Sequence, residues 1–201
     1  MLFAFSCIII GTLLFLERTK RKTKMPKLIK NAKENILREA KDLILTAGAP
    51  NFNMRTVAER SGVAAGTLYN YFPSKEHLIA SVILEDWHAI LSDARNKLKK
   101  AESAIAGCEI IFSAIQGFAN MHRATWQFSL SHTEYADLRP KYHKMLVDQL
   151  CDLILPLGER FGFLFDSTVA PFVAEVLLSG GAYPDGKFCF LAPCLNKIFS
   201  R

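Results

Sequence analysis

An all-α fold is what this sequence predicts, and three observations carry it. Apolar residues recur at helical spacing over long stretches, first in Ile29, Ile36, Leu37, Ala40, Leu43, Ile44 and Ala47. The segment Asn53 to Lys75 reads as two short helices around a tight turn, followed by an abrupt stop. No run alternates for long as an amphipathic strand would, and the chain has no internal repeat.

The elements follow in order. Lys27 to Ala47 forms the first helix, Gly48-Ala49-Pro50-Asn51 a turn, and Phe52 a plug for a three-helix core. Asn53 suits an N-cap, because its side-chain oxygen can accept from the free amides two or three residues on. The second helix then runs from Met54 to about Ser61, with Val57 and Ala58 inward and Glu59 and Arg60 outward. Gly62 ends it in the left-handed conformation that only glycine adopts cheaply, and Val63 anchors the turn. The third helix, Ala64 to Tyr71, buries Leu68 and Phe72. Pro73 stops it, since the residue before a proline is pushed out of helical geometry. Ser74 caps a long fourth helix, Lys75 to Leu98, with Glu76 in its first turn, where a negative charge is favoured. Its buried face is Leu78, Val82, Leu84, Trp87, Ile90 and Leu91.

Beyond it the spacing predicts helices near Glu102–His122, Thr125–Ser131, Leu138–Phe161, Ser167–Ser179 and Phe188–Phe199. Pro140, Pro171, Pro184 and Pro193 fall near starts or turns, and Pro156 predicts a kink inside its helix. The chain divides into an N-terminal extension (1–24), a head (25–80) and a helical second domain (81–201).

The third helix has an unusually bare start, Ala64-Ala65-Gly66-Thr67, for an element of a core. A bare start suits a backbone that approaches DNA closely, and a helix-turn-helix offers its second helix to the major groove. The rival reading is a purely structural helical hairpin. The formal charge of +6 favours an anionic partner, but Arg18, Lys20, Arg21, Lys22 and Lys24 hold most of that excess. The motif therefore carries the argument and the charge does not.

Leu2 to Leu16 is an uncharged, largely apolar run followed by those basic residues. A signal peptide puts its positive charge before the apolar run, and a membrane span needs about 20 residues. Three readings stay open: a short anchor, an extra helix or tail, or a stretch upstream of a natural start at Met25-Pro26-Lys27, which we favour. A membrane is a partner only if residues 1–24 are present. The five cysteines, an odd number with no two-residue spacing, read as reduced thiols in a cytoplasmic protein. No glycine-rich phosphate loop, nucleophile elbow, catalytic carboxylate pair or metal-ligand set is present in the sequence, so neither an enzyme nor a cofactor is expected.

From Asn35 to Leu84 the chain closely resembles the DNA-binding domain of the TetR family of bacterial transcriptional regulators. The most specific stretch is Gly66-Thr67-Leu68-Tyr69-Asn70-Tyr71-Phe72-Pro73-Ser74-Lys75-Glu76-His77-Leu78, preceded by Val57-Ala58-Glu59-Arg60-Ser61-Gly62-Val63 and Ile36-Leu37-Arg38-Glu39-Ala40. The resemblance implies a helix-turn-helix DNA-binding domain followed by a helical ligand-binding and dimerisation domain. It implies a homodimer on a palindromic double-stranded DNA operator, and a repressor released by a small-molecule effector of unknown identity. Met54 and Arg55 would reach the groove edge, Arg55 with two bonds to a guanine. Ala65 would meet a thymine methyl beside Gly66, and Asn70 a base or phosphate. Thr67, Tyr69, Tyr71 and Lys75 would hold phosphates and set the register. Phe118, Met121, His122, Trp126 and Tyr135 lie where the family often lines its effector pocket, although an aromatic cluster is more often plain core. Leu146, Leu150, Leu153, Val173, Val176 and Leu177 would meet the second subunit, or form intramolecular core. An alternative is a ligand-independent DNA-binding protein of the same build, working through a protein partner or in chromosome organisation.

Overall fold

A computed structural model describes residues 31–129, 139–163 and 168–199. Every regular element among them is a helix: α1 (Ala32–Asn51), α2 (Met54–Ser61), α3 (Ala65–Tyr71), α4 (Lys75–Leu98), α5 (Ala104–Ser129), α6 (Arg139–Phe161), α7 (Val169–Ala182) and α8 (Phe188–Phe199). The extension over residues 1–24 and the first helix's expected start at Lys27 lie outside the described residues.

The described residues form two compact units. One holds residues 31–86, 122–129 and 139, and the other holds 87–121 and 140–199. The division falls between Asp86 and Trp87 inside α4, and the end of α5 joins the first unit.

The first unit is the helix-turn-helix head. Its local chemistry sets its ends. Asn53 accepts from the Arg55 amide at 2.9 Å and opens α2. Gly62 closes it at φ 69°, ψ 26°, in the left-handed region, and the Val63 amide returns to the Ala58 carbonyl at 3.0 Å. Ser74 accepts from the His77 amide at 3.2 Å at the start of α4. The turn expected at Gly48 is present as a break inside α1, where Gly48 stands at φ 76°. Ile36, Ala40, Val57, Leu68 and Phe72 pack the core with Phe52, all nearly without solvent contact. Arg60 binds α2 to α1 through Glu39 at 2.9 Å and Asp42 at 2.6 Å.

In the second unit Trp87 is wholly buried, edge-on to Phe118 at 5.1 Å between ring centres, and its indole N–H donates to Gln149 Oε1 at 2.7 Å. That bond removes the cost of an unpaired donor in a core. Gly181 lets α7 approach α5 closely: a Cβ there would meet Ile115 Cγ2 at 2.9 Å and the Phe112 carbonyl oxygen at 3.1 Å. The Arg160 guanidinium donates to the carbonyls of Leu98 and Lys99, both at 3.0 Å, at the C-terminal end of α4.

Two expectations need correction. The helices read as Glu102–His122 and Thr125–Ser131 form one unbroken helix, α5, at least as far as Ser129. Buried positions at helical spacing, Ala119, His122 and Thr125, carry its inner face across the supposed break. Pro193 lies inside α8, not at a start or turn. Pro156 lies inside α6, as expected.

Candidate DNA-binding face

α2 and α3 bring most of the expected reading residues to one exposed stretch of the head. α3 opens without any side-chain cap: its N-cap is Ala64, in an extended conformation. Ala65 and Gly66 in the first turn are exposed. A Cβ added to Gly66 would meet nothing within 4 Å. The fold thus leaves open space where this helix begins. Tyr69 is half exposed, Asn70 exposed, and Thr67 and Tyr71 are partly covered. Lys75 Nζ stands 5.8 Å from the ring centre of Phe52, which sets the lysine stem at the start of α4 against an aromatic face.

Met54 does not belong to this face. It is 7 % exposed and packs in the core, because the first residue of α2 shares its inner side with Val57 and Ala58 at helical spacing. Arg55, the next residue, points out with 84 % of its side chain exposed, and its Nε donates to Glu59 Oε1 at 3.1 Å. His77, beneath the start of α4, is partly buried against Phe72. Burial, then the charge of Lys33, lowers its imidazole below the ordinary 6.5.

Three of the expected effector residues have described side chains. Phe118 is sealed against Trp87 in the core of the second unit. Met121 is exposed. His122 is buried in the head, with Nε2 3.0 Å from Asp86 Oδ2. The Trp126 side chain and all of Tyr135 lie outside the described residues. Met121 alone of the set lines an open groove of about 630 Å³ in the second unit, floored by Ile90, Ala94, Ile110 and Ala114 and rimmed by Lys97 and Lys100.

Of the two readings of the six expected dimer residues, intramolecular core fits five. Leu146, Leu150, Leu153, Val173 and Leu177 are at most 3 % exposed within one chain, so they have no surface left for a partner. Val176 is partly exposed. The large apolar side chains that α6, α7 and α8 leave outside are Leu155, Phe172 and Phe190.

One constellation escaped the sequence reading. Asp86 on α4 accepts from Lys41 of α1 at 2.5 Å and meets His122 of α5 at its other oxygen. Its side chain is 7 % exposed. Burial alone would raise the carboxyl, but the hydrogen bonds to His122 and Lys41 outweigh it and hold it below its usual range. A signal for it does exist in the sequence. Asp86 stands four residues after Val82 and three after Ile83, and His122 four after Phe118, so both fall on apolar stripes where a polar group needs a partner.

Among the described residues no group of three His, Cys, Asp or Glu side chains is placed to hold a metal. Burial pushes the Cys108 thiol up to about 12, which leaves it unreactive.

Comparison with known proteins agrees with this geometry. Residues 36–82 match the family described as bacterial regulatory proteins, tetR family. Over 86 residues the chain is 37 % identical to the HTH-type transcriptional repressor KstR of Rhodococcus jostii (strain RHA1), a match that takes in 43 % of this chain and 40 % of that protein. The chain thus spans less than half the length of this curated relative. Among solved structures, the transcriptional regulator FadR from Bacillus subtilis in complex with stearoyl-CoA aligns with a TM-score of 0.55 at 18 % identity, covering 82 % of this chain and 94 % of that one. FadR of Thermus thermophilus, a TetR-family repressor in complex with lauroyl-CoA, aligns at 0.54 and 20 % identity, covering 83 % and 91 %. At such identities the likeness is one of fold.

Proposed function

We propose that this chain, a TetR-family regulator by its residues 36–82, is a homodimeric repressor that leaves a palindromic operator when a small molecule binds its second unit. The observation that carries the DNA-reading part is the uncapped, exposed first turn of α3 with open space at Gly66. Backbone amides at such a helix start suit phosphate or close groove contact. Arg55, Tyr69 and Asn70 stand exposed beside it. Two-fold symmetry of the protein is mirrored in a palindromic site. The relative named a repressor supports the sign of regulation, and a cytoplasmic location follows from the role.

For the effector, an acyl thioester is the first class to test. Two proteins of this fold are known with acyl-CoA bound. The groove beside α4 and α5 offers apolar lining at Ile90, Ala94 and Ile110, with Lys97 and Lys100 alongside Asp93, Glu102 and Glu109. Only a ligand that prefers the DNA-free arrangement can release the operator.

The test is mobility shift on duplexes selected from a random library, with salt titration and then added acyl-CoA. Specific, salt-sensitive binding that acyl-CoA weakens supports the whole reading. Specific binding that no acyl-CoA or other small apolar ligand changes would favour the ligand-independent alternative. Binding equal on all sequences would sink the regulator reading. In the same assay Lys75→Ala should lower affinity on every sequence alike and flatten the plot of log K against log salt by about one per lost phosphate contact.

We place the subunit contact at the outward apolar residues Phe172, Leu155 and Val176. Phe172→Glu puts a charge where 56 % of the ring is now exposed, so the monomer should fold unchanged. Sedimentation should show the dimer weakened at least about tenfold, roughly 1.4 kcal/mol. A variant that remains as dimeric as the parent would move the interface elsewhere.

A further inference from the structure

We propose that Glu59 is a positioning residue for base reading by Arg55, holding the guanidinium so that its outer edge is presented to a guanine. The inference rests on the DNA-reading role just proposed and adds a determinant of its specificity.

The geometry is local to α2. Residues 55 and 59 lie one helical turn apart on the same exposed face. Arg55 donates through Nε to Glu59 Oε1 at 3.1 Å. A guanidinium held by Nε keeps its two terminal nitrogens available, and a pair of donors on one edge is what guanine O6 and N7 accept. The other arginines of the α1–α2 region are engaged differently. Arg60 uses Nε on Glu39 and a terminal nitrogen on Asp42, so its fork is spent on α1. Arg38 directs Nε and a terminal nitrogen to Glu39 Oε1.

An exposed carboxylate on a DNA-facing helix repels phosphates, so Glu59 has a cost that a solely structural role does not offset. As a stabilising ion pair it contributes little, since both side chains are mostly exposed. Its value lies in arresting the long Arg55 side chain in one pose before binding, which reduces the ordering that base contact requires.

The test is selection of the full chain on a random duplex library, followed by affinities for the selected site and for its single-base variants. The expected wild-type site has a fixed guanine in each half, and Arg55→Ala relaxes that position by roughly 10- to 100-fold. Glu59→Ala should relax the same position by at least about fivefold. It should also bind unrelated DNA as tightly as the parent or more tightly, because a negative charge has gone. Glu59→Gln retains an acceptor oxygen and should restore the preference. Thermal unfolding of all three variants should match the parent.

Three results would overturn the inference. The first is a Glu59→Ala variant that leaves unchanged the position that Arg55→Ala relaxes. The second is a Glu59→Ala variant that relaxes a different position, which would make Glu59 a reader of its own. The third is an Arg55→Ala variant that relaxes no position at all. A wild-type chain that enriches no motif would remove the DNA-reading role itself, and that failure is visible before any variant is made.

Discussion

Gly66→Leu is expected to reduce operator binding by at least about 100-fold, equivalent to about 2.8 kcal/mol, while leaving the fold intact. The two halves of that expectation have separate causes. Within the chain nothing lies within 4 Å of a Cβ at this position, so a side chain meets no obstacle there. The backbone of Gly66 lies within a regular helix, in its first turn, and needs no conformation special to glycine. Leucine is the better helix former by roughly 0.5–1 kcal/mol, so thermal stability should hold or rise. In the proposed function the same open space is where DNA would come, and four added carbons would hold the helix away from the base edges. Binding and unfolding therefore move apart, which a damaged fold would not do. Parent-like affinity in Gly66→Leu would mean that this turn does not enter the groove.

Asp86→Ala carries the largest expected loss of stability, about 3 kcal/mol at neutral pH. The carboxylate joins α1, α4 and α5 within the head. Removing it leaves the wholly buried His122 side chain without its acceptor and Lys41 without its counter-charge. The His122 side costs more, because Lys41 is 40 % exposed and returns to water. Lys41→Ala should accordingly cost clearly less than Asp86→Ala. In a chain of this size the melting temperature should fall by roughly 6–12 °C. The pH dependence has a definite sign. The folded carboxyl titrates below its ordinary 3.8, so its stabilisation is present above that value. It is lost as the pH falls through the folded value. Asp86→Ala should thus narrow its gap to the parent in acid, below about pH 4. Urea unfolding at pH 7 and at pH 3 measures both effects, and a difference at pH 7 under 1 kcal/mol would refute the clamp.

The reading head was legible because its signals are local. The expected and observed ends of α2 coincide, and those of α4 as well, since Asn53, Gly62, Pro73 and Ser74 act on amides and carbonyls within a turn of themselves. Arg55, Ala65, Gly66, Tyr69 and Asn70, which the family resemblance named, are exposed. Met54 was assigned to the wrong side. A residue at the first position of a helix is constrained by few neighbours along the chain, and α1 and the core determine which way it turns.

In the second unit less could be read, for a physical reason. Phe118 fits an effector cavity, and Leu146 or Val173 a subunit contact, equally well by spacing. Each is apolar at a buried helical phase, and phase says that a residue is covered but not by what. Trp87 and Phe118 cover each other, and the five candidate interface residues are covered within their own chain.

The sequence by itself determined that the chain is helical, that residues 53 to 75 form a helix-turn-helix, and that its second helix begins bare. Each depends on interactions spanning at most four or five positions. Only the tertiary structure decided that Asp86 meets partners 45 and 36 residues away, that His122 belongs to the head, and that Leu155, Phe172 and Phe190 stay exposed on α6, α7 and α8. Burial and pairing are settled between elements, where backbone periodicity names a face and packing chooses its neighbour.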